Sequence, residues 1–455
     1  VLARLVTRFP RRVITASAVL LLVLGALAAG AMESLSLNRY EAPGSESVAA
    51  REDLGARFGT SSPNVAILIS ARQGTVNDAE STRIGEQVTD ELSNYPGVGD
   101  AWSYWSELAP DSLASDDLRH ALVLAWVPGD ADHVRGDVLP GIESDIVEAI
   151  DSPAVHVQLG GGDQVFRAVA EQARTDFVRA ELIILPLVLV LLWAVYRRFR
   201  LALLTLGVGL FSVVGTLAIL RAVSAFTDVS TFASNIALVM GIGLGVDYGL
   251  FMSYRFREEL TAGRGVAEAV QVAVRTAGRT IAFSGVTVAA SLAVLFVFPF
   301  PFLSSFAYAG IAVVATAILG SVVVLPAALR ILGTGAARRT PERPVDERSR
   351  WYRVAAHVMR RPLIAGAAGL AVLLLLGAPA LGTNFGAPDD RLLPSSQPVR
   401  SMYDTVRAEF AAEDADALYV VADGITDREV AEQAMTLSRI DGVQRVDCCR
   451  SVRER

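Results

Sequence analysis

Lysine is absent from this chain: all 41 of its basic residues are arginine. That is a coding bias and carries no mechanism. Cysteine is nearly as scarce. Cys448 and Cys449 are adjacent and near the end of the chain, a spacing that suits neither a sound disulfide nor a metal-ligand pair. No cysteine framework is therefore expected to hold the fold. Only four histidines occur, all outside the long apolar runs, so no histidine proton relay within a membrane is implied. No nucleophile–base pair, Walker loop or metal cluster can be found. An enzyme reading has no residues to rest on, and no cofactor, catalytic residue, metal site or nucleic-acid partner is expected.

The most informative absence is charge within long apolar runs. Apolar residues make up 52% of the chain and the mean hydropathy is +0.42, too high for an ordinary soluble protein of this length. Seven runs are apolar enough to cross ~30 Å of hydrocarbon: 13–32, 182–196, 201–220, 231–254, 281–298, 303–329 and 363–381. One buried soluble helix could account for one such run, but not for seven. The second run is short and is expected to begin as a helix outside the membrane near Gln164. Six runs contain no Asp, Glu, Lys, Arg or His; the fourth contains Asp247.

Arginine sets the orientation. With the N-terminus in the cytoplasm, the inside segments 1–12, 196–200, 255–280 and 330–362 hold 21 arginines and six acids. Residues 33–180 then lie outside, with 25 acids against ten arginines. That asymmetry follows the positive-inside rule. The expected location is the cell inner (plasma) membrane, multi-pass, with a cytoplasmic N-terminus.

The outer segment reads as a folded domain. Strands are expected at 65–70, 98–104, 120–127 and 155–159, with helices at 77–93 and 131–150, in the order βαββαβ of a split βαβ unit. The chain then begins to repeat itself. Arg11-Arg12-Val13-Ile14 is echoed by Arg360-Arg361-Pro362-Leu363-Ile364, and the segment 43–48 by 394–399, 351 positions later. A helix ending at Phe58 answers one ending at Phe410, a strand at 65–69 answers one at 417–421, and Tyr95-Pro96-Gly97-Val98 answers Ile440-Asp441-Gly442-Val443. The order of these matches is what identifies a repeat. The second copy covers one strand–helix–strand unit. The expectation is a first half plus the start of a second, the rest being lost or supplied by a missing C-terminal half or oligomeric partner.

Asp247 stands alone in its span, at a cost of about 2.5–3.5 kcal/mol on insertion scales. A carboxyl removed from water favours its neutral form, so it is a candidate proton carrier; the plainer alternative is a carboxyl paired with a neighbouring helix for packing alone. It sits in Gly241-Ile242-Gly243-Leu244-Gly245-Val246-Asp247-Tyr248-Gly249. Gly241, Gly245 and Gly249 share one helix face and permit close approach of another helix; Gly243 is grouped with them as a packing glycine. A nucleotide-binding glycine loop is rejected, because no strand precedes the motif. Asp247 and Tyr248 are ~100° apart around a helix, so each needs its own partner, and Asp247 lies ~12 Å along the axis from Arg255.

The run Gly-Leu-Gly-Val-Asp-Tyr-Gly-Leu-Phe, followed by Tyr254-Arg255-Phe256-Arg257-Glu258-Glu259-Leu260, resembles the fourth-span signature of MmpL-type transporters of the RND superfamily. Gly278-Arg279-Thr280-Ile281-Ala282-Phe283-Ser284 resembles the start of their fifth span. The resemblance implies proton-motive export of lipids or other hydrophobic molecules. It implies Asp247 as the relay carboxyl, Tyr248 as its companion, and Ser284 and Phe251 near the same centre. In that family these residues meet an Asp-Tyr pair on a tenth span, which this chain lacks. Protein-export or sterol-sensing relatives, or an envelope scaffold without transport, share the architecture.

The expected fold is thus a polytopic α-helical membrane protein with an α+β porter-like extracytoplasmic domain, RND-type, its second half incomplete. Its expected parts are a cytoplasmic start (1–12), a first span (13–32), the outer domain (33–180), spans two to six (181–330), a cytoplasmic linker (331–362), a seventh span (363–381) and the start of a second outer domain (382–455). Val266, Ala269, Val270, Ala273, Val274 and Ala277 read as an interfacial amphipathic helix with a structural role. Trp102, Trp105 and Trp126 read as core packing of the outer domain rather than the lining of a lipid path.

Overall fold

The computed structural model describes residues 2–446 except 33, 37–41, 43, 108–110, 337–349, 384–388, 411–419, 421–425 and 444–445. Cys448, Cys449 and, apart from Val420, the strand expected at 417–421 lie outside the described residues. In chain order come α1 (Leu2–Arg8), α2 (Pro10–Ala29), α3 (Glu46–Phe58), β1 (Val65–Ala71), α4 (Ala79–Ser93), β2 (Asp100–Ser103), β3 (His120–Trp126), α5 (Leu139–Ile142) and β4 (Val155–Gly160). There follow α6 (Gly162–Tyr196), α7 (Phe199–Ser224), α8 (Ala233–Thr261), α9 (Val266–Ala293), α10 (Pro301–Leu319), α11 (Leu325–Leu332), α12 (Arg350–Arg360), α13 (Pro362–Gly377), α14 (Pro398–Glu409) and α15 (Asp427–Leu437). Contacts divide the chain into a helical unit, Val1–Tyr40 with Phe166–Pro394, and a sheet-bearing unit, Glu41–Val165 with Ser395–Arg455.

Among the described residues of the helical unit, seven helices are long and apolar enough to span a membrane, and they are unequal partners. The apolar stretches of α7 and α10 are each 61% buried, that of α8 44%, and that of α13 not at all. So α7, α8 and α10 form the centre of the bundle, and α13 is bare along its length. Lipid tails are as apolar as leucine, so burial alone cannot hold such helices together; close packing and hydroxyl bonds must. Thr316 of α10 supplies both: its hydroxyl meets Ser212 Oγ at 3.0 Å and Thr216 Oγ1 at 3.1 Å on α7, and its methyl packs where Gly215 leaves room. The sixth span carries a π-helical turn at Gly320–Val324 just before Pro326. Proline lacks the N–H that would bond four residues back and its ring crowds that carbonyl, which favours a widened turn.

The second span is longer than its apolar run, as expected: α6 is one continuous helix from Gly162. The segment 266–277 is corrected. It is the opening of α9 rather than a separate interfacial helix, and Ala269, Val270, Ala273, Val274 and Ala277 are buried in the bundle. Small side chains on that face let α9 approach its neighbours, which a helix lying in a lipid surface has no need to do.

In the sheet-bearing unit the strand order is β2-β3-β1-β4 with every neighbouring pair antiparallel. That is the split βαβ arrangement. Ile67 sits opposite Val123 on one side and Leu159 on the other. Odd residues of β1 (Val65, Ile67, Ile69) pack with Ile84, Val88 and Leu92 of α4 and with Leu139 and Ile142. Even residues (Ala66, Leu68) pack with Leu122, Leu124, Met402, Val406 and Phe410. Helix α14, from far along the chain, therefore covers the second face, held also by Gln158 Nε2 donating to Ser401 Oγ, 243 residues on, at 3.0 Å. This is why β1 reads as an unbroken apolar run: a strand covered on both faces has no polar side.

The helix expected at 131–150 is instead π-helical at His133–Val138, α-helical at Leu139–Ile142 and π-helical again at Glu143–Val147. Pro140 removes one helical donor, and Gly136 and Gly141 weaken the rest. The tryptophans pack as core: Trp102 lies against the α14 cluster, Trp105 donates Nε1–H to Val76 O at 3.2 Å, and Trp126 lies over Gly55 and Gly99.

The repeat acquires a sharper register. Pro10 and Pro362 each open their span, preceded by caps of nearly equal conformation (Phe9 φ −129°, ψ 51°; Arg361 φ −136°, ψ 63°). The offset is 352, against the 351 read between segments 43–48 and 394–399 and the 350 that matching Ile14 to Ile364 gives. Helices α3 and α14 begin after Ser45 and Gln397, again 352 apart. Gly97 and Gly442 share φ +93°. In each case the next valine donates its N–H three residues back, at 3.1 Å. Both turns need the left-handed conformation that glycine tolerates.

A buried ion pair closes the sheet-bearing unit. Arg135 and Asp163, each 3% exposed, meet at 2.7 Å. Asn64 Nδ2 donates to the other Asp163 oxygen at 2.7 Å, while its Oδ1 accepts from Val127 N at 2.8 Å. Removing one partner of a buried pair costs about 3–5 kcal/mol, whereas replacing both by apolar residues is often neutral. Asp163→Ala is therefore expected to lower the stability of the full chain in detergent by about that amount. The double change Arg135→Met with Asp163→Leu should recover most of the loss in the same denaturation assay.

Candidate functional site

Helix α8 has two faces with opposite tasks. Gly241, Gly245 and Gly249 lie against Val213, Gly209 and Thr205 of α7, themselves spaced four apart. A Cβ on Gly245 would come 2.6 Å from Gly209 Cα, and one on Gly241 or Gly249 within 2.8–2.9 Å of a methyl. The two backbones touch, as small residues at i, i+4, i+8 allow. Gly243 is corrected: no atom lies within 4 Å of a Cβ placed there. Two residues from Gly241 or Gly245 is ~200° around the helix, which turns Gly243 to the open side.

That open side carries the charge. Val239, Gly243, Asp247, Phe251 and Tyr254 are all exposed and recur at intervals of four, four, four and three. Asp247 thus stands on a stripe of the outer surface of the helical unit, with no hydrogen-bond or ion-pair partner among the described residues. Phe251, one turn on, is 47% exposed. Ser284 is exposed on α9, which packs beside α8, and its hydroxyl is bonded neither to Asp247 nor to any other described group.

Tyr248 points elsewhere. It is buried with Met252 and Phe256 in the central cluster of the bundle, and its hydroxyl has no hydrogen-bond partner among the described residues. The structure therefore does not bring Asp247 and Tyr248 together: adjacent in sequence, they face different surroundings. Two further buried hydroxyls sit in the same bundle: Ser321 likewise has no hydrogen-bond partner among the described residues, and Ser253 has the Tyr196 hydroxyl near it. Sequence reading missed both. The signal available was a serine inside each of two apolar runs, but only packing shows which of them are bare. A buried, unbonded polar group costs about 1–3 kcal/mol, so Tyr248 is held in place by its ring and not by its hydroxyl.

Among the described residues no cluster of His, Cys, Asp and Glu could hold a metal ion. The arrangement offers one chemistry: a carboxylate at membrane depth, open on one side, carried by a helix whose other side is locked to α7 through backbone contact. This is the outline of a multi-pass helical membrane protein of the RND type, with a split βαβ unit between its first and second spans.

The comparisons agree. The MMPL family profile matches residues 39–365, and the chain belongs to that family. A membrane protein of Streptomyces coelicolor is 34% identical over 90% of this chain and 57% of its own length. The trehalose monomycolate exporter MmpL3 of Mycolicibacterium smegmatis is 30% identical over 87% of this chain and 43% of its own. From the same organism, the mycolic acid-containing lipids exporter MmpL11 is 36% identical over 52% of this chain and 26% of its own. A crystal structure of a heavy metal efflux pump overlaps 59% of this chain and 36% of its own at 13% identity; its TM-score of 0.41 adds nothing to the assignment. The chain spans about half the length of the curated relatives it matches.

The two glycines are separable by experiment. Gly245→Ala is expected to push α7 and α8 apart at about 1–3 kcal/mol, the cost of overpacking. Gly243→Ala should be neutral, or stabilising by up to ~1 kcal/mol through helix propensity. Thermal unfolding of the two variants in detergent checks the contrast; equal effects would contradict it.

Proposed function

We propose that this chain is the first half of a proton-driven exporter of lipids or other hydrophobic molecules, held in the cell inner membrane with its N-terminus in the cytoplasm and its sheet-bearing unit outside. The observation that carries the reading is the exposed Asp247. A carboxylate on the hydrocarbon-facing side of a span costs about 2.5–3.5 kcal/mol by insertion scales, and such residues face protein or water in working membrane proteins. The stripe from Val239 to Tyr254 is therefore the seat of a second polypeptide surface, from a missing C-terminal half or an oligomeric partner. Two other bare elements support it: α13 buries nothing, and α3, the counterpart of α14 in the repeat, buries no side chain. In the repeat, α3 would serve a second sheet as α14 serves the first.

In this reading Asp247 carries the proton and Phe251 and Ser284 border it. Tyr248 acts as its companion only after a rotation of α8 or from within the core. Protonation removes the charge and with it the demand for a polar partner. The helix then re-seats along the Gly241–Gly245–Gly249 contact, where no side chain cushions the motion. The relatives named as exporters of trehalose monomycolate and of mycolic acid-containing lipids favour an amphiphilic lipid as cargo.

The test is movement of a fluorescent lipid in proteoliposomes holding the complete assembly under an imposed pH gradient. Asp247→Asn is expected to lower gradient-driven movement at least 100-fold, and Asp247→Glu to retain a measurable part. Full activity in Asp247→Asn, or movement indifferent to the gradient, would refute proton coupling at this residue.

A further inference from the structure

Between the start of α1 and the middle of α9, a cavity of about 350 Å³ opens to the surface. Three arginines ring it: Arg4 on α1, and Arg275 and Arg279 one turn apart on α9. No acid lines it. Its floor is apolar, formed by Val274, Gly278 and Val322. Gly278 matters to the shape, because a Cβ there would come 3.3 Å from Val322. Ala282 forms the wall one turn deeper, and beyond it Phe283 and Val286 are openly exposed on the face that a bilayer covers.

Several neighbouring arginines are paired or stacked instead. Arg255 bonds Glu258 at 2.5 Å and Glu259 at 2.7 Å. Arg264 pairs with Glu259 and approaches Glu268 at 3.7 Å. Arg8 and Arg12 lie over the ring of Phe9. Among the described residues, no carboxylate pairs with Arg4, Arg275 or Arg279. Three unneutralised guanidinium groups around one cavity attract an anion, and guanidinium geometry matches phosphate oxygens in pairs. Below them the cavity turns apolar toward the hydrocarbon, so the complement is an anion with a greasy tail on one side.

We propose that this cavity is a binding site for the phosphate headgroup of an anionic phospholipid, in the leaflet on the side of the N-terminus, with the acyl chains running down past Ala282 and Phe283. Such a lipid would pin α1 to α9, two elements with no span of sequence in common. The site is separate from the Asp247 stripe and does not depend on that residue's role.

Native mass spectrometry of the full chain in detergent tests this, with phosphatidylglycerol, phosphatidylcholine and inorganic phosphate as probes. Phosphatidylglycerol should bind as one tight equivalent and phosphatidylcholine should not. Neutralising each arginine should weaken binding about fivefold, as expected for one basic residue near an anionic surface, so Arg4→Gln with Arg275→Gln and Arg279→Gln should weaken it about 100-fold. These positions are exposed, so the thermal midpoint should not move. The matched control Arg8→Gln with Arg11→Gln and Arg12→Gln should bind within threefold of the native chain. Equal binding of the two lipids, or full binding by the triple variant, overturns the proposal. Displacement by millimolar phosphate overturns the lipid assignment in favour of a free-anion site. Binding that appears only in Glu342→Gln with Asp346→Asn and Glu347→Gln makes the occupant the linker, and the proposal fails.

Discussion

A carboxylate in hydrocarbon must be covered, and the organisation of the helical unit turns on that one requirement. The seven apolar runs hold no other Asp, Glu, Lys, Arg or His. Asp247 remains, on the side of α8 that no described element covers. Its exposure is not a failure of packing, because the opposite side of the same helix is among the tightest contacts in the molecule. Glycines at 241, 245 and 249 fix α8 against α7 and so fix where Asp247 points. In the proposed reading, that uncovered charge is the seat of a partner surface.

The sheet-bearing unit shows a related economy. Its β1 strand is apolar on both faces, so a sheet with helices on one face only would leave Ala66 and Leu68 in water. Helix α14, which belongs to the second copy of the repeat, closes that face with Met402, Val406 and Phe410. Its first-copy counterpart α3 buries nothing. The two copies of the repeat are therefore unequal here in the same sense as the two faces of α8: one has its partner and the other does not.

Much of this was legible in the residues, for identifiable reasons. Spans follow from runs without charge, and the glycine face from i, i+4, i+8 spacing. The βαββαβ order follows from alternating strand and helix signals, and the observed sheet order agrees. What was not legible depends on neighbours that the sequence does not name. Gly243 looks like its fellow glycines until the helix phase places it on the open side. Tyr248 looks like a partner for Asp247 until its ring is found in the core. The stretch 131–150 looks helical by periodicity, and Pro140 was the warning that its turns would widen. The segment 266–277 has an amphipathic pattern that suits a lipid surface equally well; only the small residues on its inner face show that it packs against other helices.

The most direct measurement is the lipid exposure of the stripe itself in the working assembly. With Cys448 and Cys449, the two cysteines of the chain, replaced by serine, single cysteines at 239, 243, 251 and 254 can each carry a nitroxide label without background from this chain. Oxygen, which concentrates in hydrocarbon, then reports by paramagnetic relaxation which labels face lipid, with Leu187→Cys on the exposed face of α6 as reference. The account predicts that the four stripe labels are shielded while Leu187 remains accessible, and that shielding changes when the pH gradient is imposed. Four labels as open to oxygen as Leu187, in an assembly that still moves lipid, would contradict it.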